Sequence, residues 1–241
     1  GTGAIGDFDI GYDTANDKVV IAYRDYGNSN YGTCIVGTVS GTSVSFGSEA
    51  VFKSSLTQSI RVAFDTANSK FAIFYANGTT SGNAVVATVS GTSISYGSEA
   101  TFESANSIIH GAVYDPDVGR VLVSYRDGGN NYYGTVAVGT ISGTSVTFGT
   151  PVVFNTSNTI SPVLVYDTAA NKVVVIYSDV GNSLYGTAKV GTVSGTTVSF
   201  GSAAVFESAA TEEIGAAFDA NAGKVVVVYD DGGNSNYGTY N

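Results

Sequence analysis

The chain has 241 residues, 43% of them hydrophobic and only 12% charged, which supplies a sizeable core and excludes a solvated, disordered polypeptide. A formal charge of −10 with ten scattered basic residues leaves no basic footprint for nucleic acid, and the same acidity argues against an anionic membrane surface. No apolar run approaches the roughly 20 residues that span a bilayer, so no membrane insertion is expected. The 31 glycines against 3 prolines indicate many tight turns between short elements. Cys34 is the sole cysteine, so no internal disulfide forms. The start at Gly1 without Met reads as a processed, excised or truncated terminus. Richness in Ser, Thr and Gly with few Lys or Arg suggests an extracellular or virion-surface setting.

In chain order the sequence divides into units 1–52, 53–102, 103–154, 155–206 and 207–241, taken together as a single domain. An aromatic-Asp pair marks each one: Tyr12-Asp13, Phe64-Asp65, Tyr114-Asp115, Tyr166-Asp167 and Phe218-Asp219, with Asp spacings of 52, 50, 52 and 52. A basic residue follows each Asp by five positions, at Lys18, Lys70, Arg120, Lys172 and Lys224. Ser-Gly-Thr recurs from Ser40, Ser90, Ser142 and Ser194. Three independent markers with one common period establish a tandem repeat.

The third unit shows the predicted elements. Strand A spans 110–114, a turn runs through Asp115-Pro116-Asp117-Val118-Gly119, and strand B (120–125) is nearly continuous in apolar residues, as a strand buried on both faces should be. A loop from Asp127 precedes strand C (133–141); Ser142-Gly143-Thr144 turns into the more polar, alternating strand D (145–154). Four short antiparallel strands per unit of about 50 residues are the pattern of propeller blades. The expected fold is therefore all-β: a five-bladed propeller of four-stranded antiparallel blades, with strand B sandwiched between neighbours and strand D at the rim. An open β-solenoid is the alternative. The fifth blade is incomplete, with 35 residues of an expected 52, and Gly1-Thr2-Gly3-Ala4-Ile5-Gly6 faintly echoes the strand C run 134–139.

Propeller connectivity puts the A–B and C–D turns on one face and the B–C and D–A connections on the other. On the first face, Asp is expected to accept turn amides and to form an exposed pair with the basic residue five positions on, adding at most ~1 kcal/mol. On the second, the B–C loop repeats Asp, Asn and Tyr in four units: Asp25, Asn28, Asn30 and Tyr31; Asp127, Asn130 and Tyr133; Asp179, Asn182 and Tyr185; Asp231, Asn234 and Tyr237. Unit two departs, with a loop two residues shorter (Asn77–Asn83) and no Tyr. These loops admit three readings. The first is turn and cap chemistry alone. The second is carbohydrate binding, with Asn and Asp matching sugar hydroxyls and Tyr packing on a C–H face. The third is calcium, for which one carboxylate per loop is a poor match. The D–A connections (53–59, 103–109, 155–161, 207–213) vary most between units, as a specificity-setting rim or freely drifting loops would.

Catalytic residues are sparse. His110 is the only histidine and aligns with Phe8, Ile60, Pro162 and Ile214, so it reads as packed in strand A. Cys34 aligns with Val136 and Ala188 and reads likewise. Asp7, Asp9 and Glu213, with Arg61 among them, fall near an inner strand singly in different units. No triad or Cys/His zinc set follows, and the expectation is a chain that is not an enzyme and carries no catalytic residue, metal or cofactor.

The run Tyr-Arg-Asp-x-Gly-Asn-Ser-Asn-Tyr-Gly-Thr, followed by Val-Gly-Thr-Val-Ser-Gly-Thr-Ser-Val-Ser-Phe-Gly-Ser, resembles a repeat of marine phage and environmental metagenome proteins of tail-fibre or virion-surface type. The architecture is also similar to five-bladed lectins of the tachylectin type. Those lectins use tryptophans that are missing here, so their sugar sites do not carry over. The resemblance implies a glycan- or cell-surface-receptor-contacting module. The function expected is non-enzymatic binding through the B–C/D–A face; the alternatives are a structural spacer or assembly module of a fibre and, third, a polysaccharide-active enzyme.

Overall fold

The computed structural model describes residues 3–241, so Gly1 and Thr2 of the strand C echo lie outside the described residues. Ile5 and Gly6, from the same stretch, instead open β1 (Ile5–Asp13), which pairs with β2 (Lys18–Asp25). β2 pairs with β3 (Tyr31–Ser40), and β3 takes β4 (Ser43–Phe46) along its second half. The first half of β3 pairs with the start of β5 (Ala50–Asp65), whose second half leaves this sheet to open the next one.

The pattern then repeats. Unit two adds β6 (Lys70–Asn77), β7 (Gly82–Ser90), β8 (Ser93–Tyr96) and β9 (Ala100–Glu103). Unit three contains β10 (Ser107–Asp115), β11 (Arg120–Asp127), β12 (Tyr133–Ser142), β13 (Ser145–Phe148) and the start of β14 (Val152–Asp167). Unit four follows with β15 (Lys172–Asp179), β16 (Tyr185–Ser194), β17 (Thr197–Phe200) and the start of β18 (Ala204–Asp219). Unit five has the rest of β18, β19 (Lys224–Asp231) and β20 (Tyr237–Tyr240). All pairings are antiparallel. Strands A, B and C of unit three extend the predicted bounds by only one to three residues.

Two expectations need correction. The D–A connections are not surface loops: in β5, β14 and β18 they are the middle of one 16-residue strand that serves two sheets, and only unit three breaks it, between Glu103 and Ser107. Their Ser, Thr and Asn content fits a strand because the hydroxyls bond locally: Thr57, Thr159 and Thr211 are fully buried and donate to the carbonyls of Ser55, Ser157 and Ala209. Nor does the Asp of the aromatic-Asp pair meet the basic residue. Asp65 is buried and accepts from Ala67 N and Asn68 N, each at 3.0 Å, and from Asn68 Nδ2 at 2.7 Å. Lys70 reaches Thr88 Oγ1 instead, 2.8 Å away.

The core lies between units. Val20, Ala22, Cys34 and Val36 of unit one pack on Ile60, Val62, Phe71 and Ile73 of unit two. Burial pushes the Cys34 thiol up to about 12. Three more junctions repeat this scheme, each joining one face of a sheet to the opposite face of the next. The Tyr114 and Tyr166 hydroxyls lie near Asp65 and Asp115 of the preceding unit, and Tyr166 donates to Asn171 Oδ1 of its own unit at 3.3 Å. The junctions bring the first strands of all five units around one axial cavity of about 400 Å³.

Candidate functional site

The B–C loops are built alike. Asp25, Asp127, Asp179 and Asp231 each accept a backbone N–H two residues on, from Gly27, Gly129, Gly181 and Gly233, at 2.8, 2.9, 3.0 and 2.8 Å. Each loop then runs through two consecutive residues of left-handed backbone, such as Ser29 and Asn30 or Asn131 and Tyr132, without a glycine to relieve them. The loop is docked on the next unit, where the N–H groups of Thr57, Thr159 and Thr211 donate to the carbonyls of Asn30, Tyr132 and Leu184.

These contacts sort the candidate residues. The four aspartates are occupied as turn caps, and Asp127 and Asp231 are buried. Burial, and secondarily the charge of Glu103, holds the Asp127 carboxyl above its ordinary range. Asn28, Asn182 and Asn234 are exposed, whereas Asn30 and Asn130 are half-buried. Tyr31, Tyr133 and Tyr185 open strands and sit opposite Leu56, Asn158 and Ala210, so their rings are half-buried in the sheets; only Tyr237 stands well out, at 66%.

Two further exposed rings on this face, Tyr26 and Tyr132, are backed by arginines. Arg24 lies over Tyr26 at 4.7 Å, and Arg126 over Tyr132 at 5.1 Å. Arg24 also pairs with Asp7 at 2.9 Å and donates to the Tyr26 hydroxyl at 2.6 Å, while Arg126 donates to Asn158 Oδ1 at 3.0 Å. In both arginines Nε is buried with no hydrogen-bond partner among the described residues. Period-matching passed over Tyr26 and Tyr132 because they occupy different loop positions. The signal was nonetheless present: Tyr-Arg-Asp occurs only in units one and three, the two units with an extra loop tyrosine.

The short loop of unit two opens a cavity of about 250 Å³ on the same face, lined by Gln58, Ser59, Ala76, Thr79, Asn106 and Ile108 among others. The side-chain amides of Gln58 and Asn106 make no hydrogen bond with other described residues. Here the deletion acts as an opening, where sequence alignment registered it only as a missing Tyr.

The axial cavity gathers residues that are far apart in the chain. Asp9, Arg61 and His110 come from β1, β5 and β10, facing Val163, Leu164 and Ile214. Asp9 Oδ2 accepts Val62 N at 2.8 Å, and Oδ1 accepts Ile10 N at 2.9 Å. Burial raises its carboxyl above the usual range. Arg61 donates from Nε to the His110 carbonyl at 2.8 Å. His110 Nε2 is buried without a partner among the described residues, and burial, assisted by Arg61 and Arg126, lowers the imidazole to about 4. It is thus a cavity-lining histidine rather than one merely packed in strand A. The Asp7 carboxylate is held by Arg24, and Glu213 is exposed. Among the described residues no group of three His, Cys, Asp or Glu side chains is placed to hold a metal ion, and no helix is long and apolar enough to cross a membrane.

Fold and site together define an all-β protein of the propeller type, with antiparallel sheets arranged about an axial cavity and a polar loop face. No protein-family model and no curated protein matches the chain. Solved structures do. Two forms of AofleA from Arthrobotrys oligospora match. A triple arginine-to-alanine mutant of it has a TM-score of 0.62 and 10% identity over 97% of this chain and 67% of its own. AofleA itself has 0.57 and 9% over 92% and 63%. A glucose dehydrogenase matches with a TM-score of 0.57 and 14% identity over 100% of this chain and 81% of its own. A leech intramolecular trans-sialidase, complexed with 2,7-anhydro-Neu5Ac, matches with 0.52 and 8% over 70% of this chain and 28% of its own. At these identities the likeness is one of fold.

The expectation that the chain is not an enzyme is overturned by the last two neighbours, which are enzymes on propeller folds. Its physical weakness was the reasoning from isolated positions. Asp9, Arg61 and His110 stand singly in three units, yet the fold brings them to one cavity.

Proposed function

We propose that this chain is a five-bladed propeller that recognises glycans through its B–C/D–A face. The observation that carries the reading is the 250 Å³ cavity left by the short loop of unit two. Its wall offers the unengaged amides of Gln58 and Asn106 with the hydroxyl-bearing Ser59 and Thr79. Amides that both donate and accept match the paired donor and acceptor character of sugar hydroxyls. The Arg-backed rings of Tyr26 and Tyr132 add flat apolar surface for a pyranose C–H face. Asn28, Asn182 and Asn234 extend this polar rim, while the loop aspartates and Tyr31, Tyr133 and Tyr185 shape it from within. The leech trans-sialidase, a fold neighbour complexed with the sugar 2,7-anhydro-Neu5Ac, supports the same reading.

The test is a glycan array followed by ligand-observed NMR titration of the full chain and of Asn106→Ala, Gln58→Ala and Tyr132→Ala. Each substitution is expected to weaken binding of a hit about tenfold, the equivalent of ~1.4 kcal/mol. Tyr31→Ala serves as a control for general disturbance of a loop. Binding that survives all three substitutions unchanged rules this face out.

A further inference from the structure

The axial cavity continues into a second one of about 420 Å³, and the loop face uses neither. Leu164 and Ala216 line both. On β5, β10, β14 and β18 alike, the residues of the second cavity lie further along the strand, toward the A–B turns: Arg61 gives way to Phe64, and His110 to Tyr114. The two cavities are therefore stacked along the axis. At ~3.4 Å per residue, the stretch of β10 from His110 to Tyr114 alone covers ~14 Å of it.

The two compartments differ in chemistry. The second is walled by Phe64, Tyr114, Tyr166 and Phe218, the aromatic members of the aromatic-Asp pairs in units two to five. Phe64 lies against Phe71 at 4.8 Å, but none of the four rings stacks on another, and the space between them is the cavity. The first compartment holds Asp9, Arg61 and His110. Arg61 gives Nε and Nη1 to main-chain carbonyls, and its Nη2 has no partner among the described residues. The His110 imidazole likewise makes no hydrogen bond with a described residue. Asp9 accepts only from main-chain N–H groups, and its charge opposes that of Arg61 without a direct ion pair.

Charge decides the class of ligand. An anionic head is attracted by Arg61 and repelled by Asp9, and a cationic head the reverse. A neutral, hydroxyl-bearing head both gives and accepts hydrogen bonds, so it suits the two walls together and offers the unpartnered imidazole a third contact. We infer that the axis binds an uncharged amphiphile lengthwise, its sugar or polyol head beside Asp9, Arg61 and His110 and its alkyl or aryl tail between Phe64, Tyr114, Tyr166 and Phe218. This site is separate from the loop face and stands whether or not that face binds glycans.

The test titrates octyl β-D-glucoside, kept below its critical micelle concentration, into the full chain under proton–carbon NMR. His110 is the single histidine, so its ring C–H signals report on the axis without any substitution. They are expected to shift saturably, each methylene added between hexyl and octyl glucoside tightening binding about fourfold. Octanoate and octyltrimethylammonium should bind about tenfold more weakly, since each brings an unbalanced charge into the cavity. Two substitutions, read from the ligand's own signals, use residues the other units already carry: His110→Ile copies Ile60 and Ile214, and Ala216→Leu narrows the passage as Leu164 does in unit four. Each should weaken octyl glucoside about tenfold, whereas Asn106→Ala on the loop face should leave it unchanged. Arg61→Met replaces His110→Ile if circular dichroism shows the latter misfolded. Absence of a saturable shift at His110 overturns the proposal. So does binding that follows Asn106 instead of the axial residues, equal binding of octanoate, or an affinity independent of tail length.

Discussion

Arg61 Nε donates to the main-chain oxygen of His110 over 2.8 Å, so a side chain of unit two holds the bulged first strand of unit three. The same guanidinium holds the Ile60 carbonyl through Nη1 at 2.6 Å. Arg61→Met keeps the aliphatic stem and removes both bonds. It is expected to lower stability by ~2 kcal/mol, at the upper range for hydrogen bonds to a charged donor, and to speed amide exchange at residues 110–112. Unchanged exchange there would mean the bond does not hold the strand.

A second prediction separates the turn aspartates from their basic neighbours. Asp65→Ala strands the N–H groups of Ala67 and Asn68 and should cost ~2 kcal/mol in denaturant unfolding. Lys70→Ala should cost no more than ~1 kcal/mol, since its partner is the Thr88 hydroxyl. Equal losses would restore the Asp–Lys pair that the spacing first suggested.

The chain contains its own control for close packing. A Cβ on Gly134 would lie 2.3 Å from the Phe154 ring and 2.8 Å from Thr159 Oγ1, whereas one on Gly238, the same position in unit five, meets nothing within 4 Å. Gly134→Ala should therefore destabilise by ~1–3 kcal/mol and Gly238→Ala by a few tenths at most, measured as shifts in Tm. Equal responses would show that the Tyr-Gly step serves the backbone alone.

His110 supplies a pH dependence. Its folded value of about 4 lies below the 6.5 of a free imidazole, so between these limits the unfolded chain binds more protons. Stability contributed by the neutral, buried ring is complete above pH 6.5 and is lost as the pH falls toward 4, on the order of 3 kcal/mol in all. The raised carboxyl of Asp9 acts in the opposite sense at the acid end. His110→Ile should flatten the loss between pH 6.5 and 4; parallel curves for variant and wild type would dismiss the histidine as its source.

Much of the fold was legible because the repeat states it five times. The limits of strands A, B and C in unit three, the tight Ser-Gly-Thr turn and the burial of strand B follow from period-two and continuous apolar patterns, whereas strand D, expected over 145–154, breaks after Phe148 and resumes as the start of β14. The D–A segments were misread because Asn155-Thr156-Ser157-Asn158 has loop composition, and only pairing with Tyr133 and Gly134 reveals a strand. Of the axial trio, the sequence placed Asp9 and Arg61 near an inner strand, but their meeting with His110 was hidden for another reason. Bulges after Gly6, Gln58 and Ile109 set which side chains face the axis, and a bulge leaves no mark in the hydrophobic pattern. On the loop face, alignment highlighted what recurs, whereas the exposed rings and the open cavity come from what does not.

The 16-residue strands β5, β14 and β18 have a mechanical consequence. Since one uninterrupted ribbon is the outermost element of one unit and the innermost of the next, tension along the chain is passed directly from unit to unit with no slack linker to absorb it. Unit three, reached through the break after Glu103, is the one place where that line of force is interrupted. A stretched molecule should yield there first, parting into a two-unit and a three-unit piece.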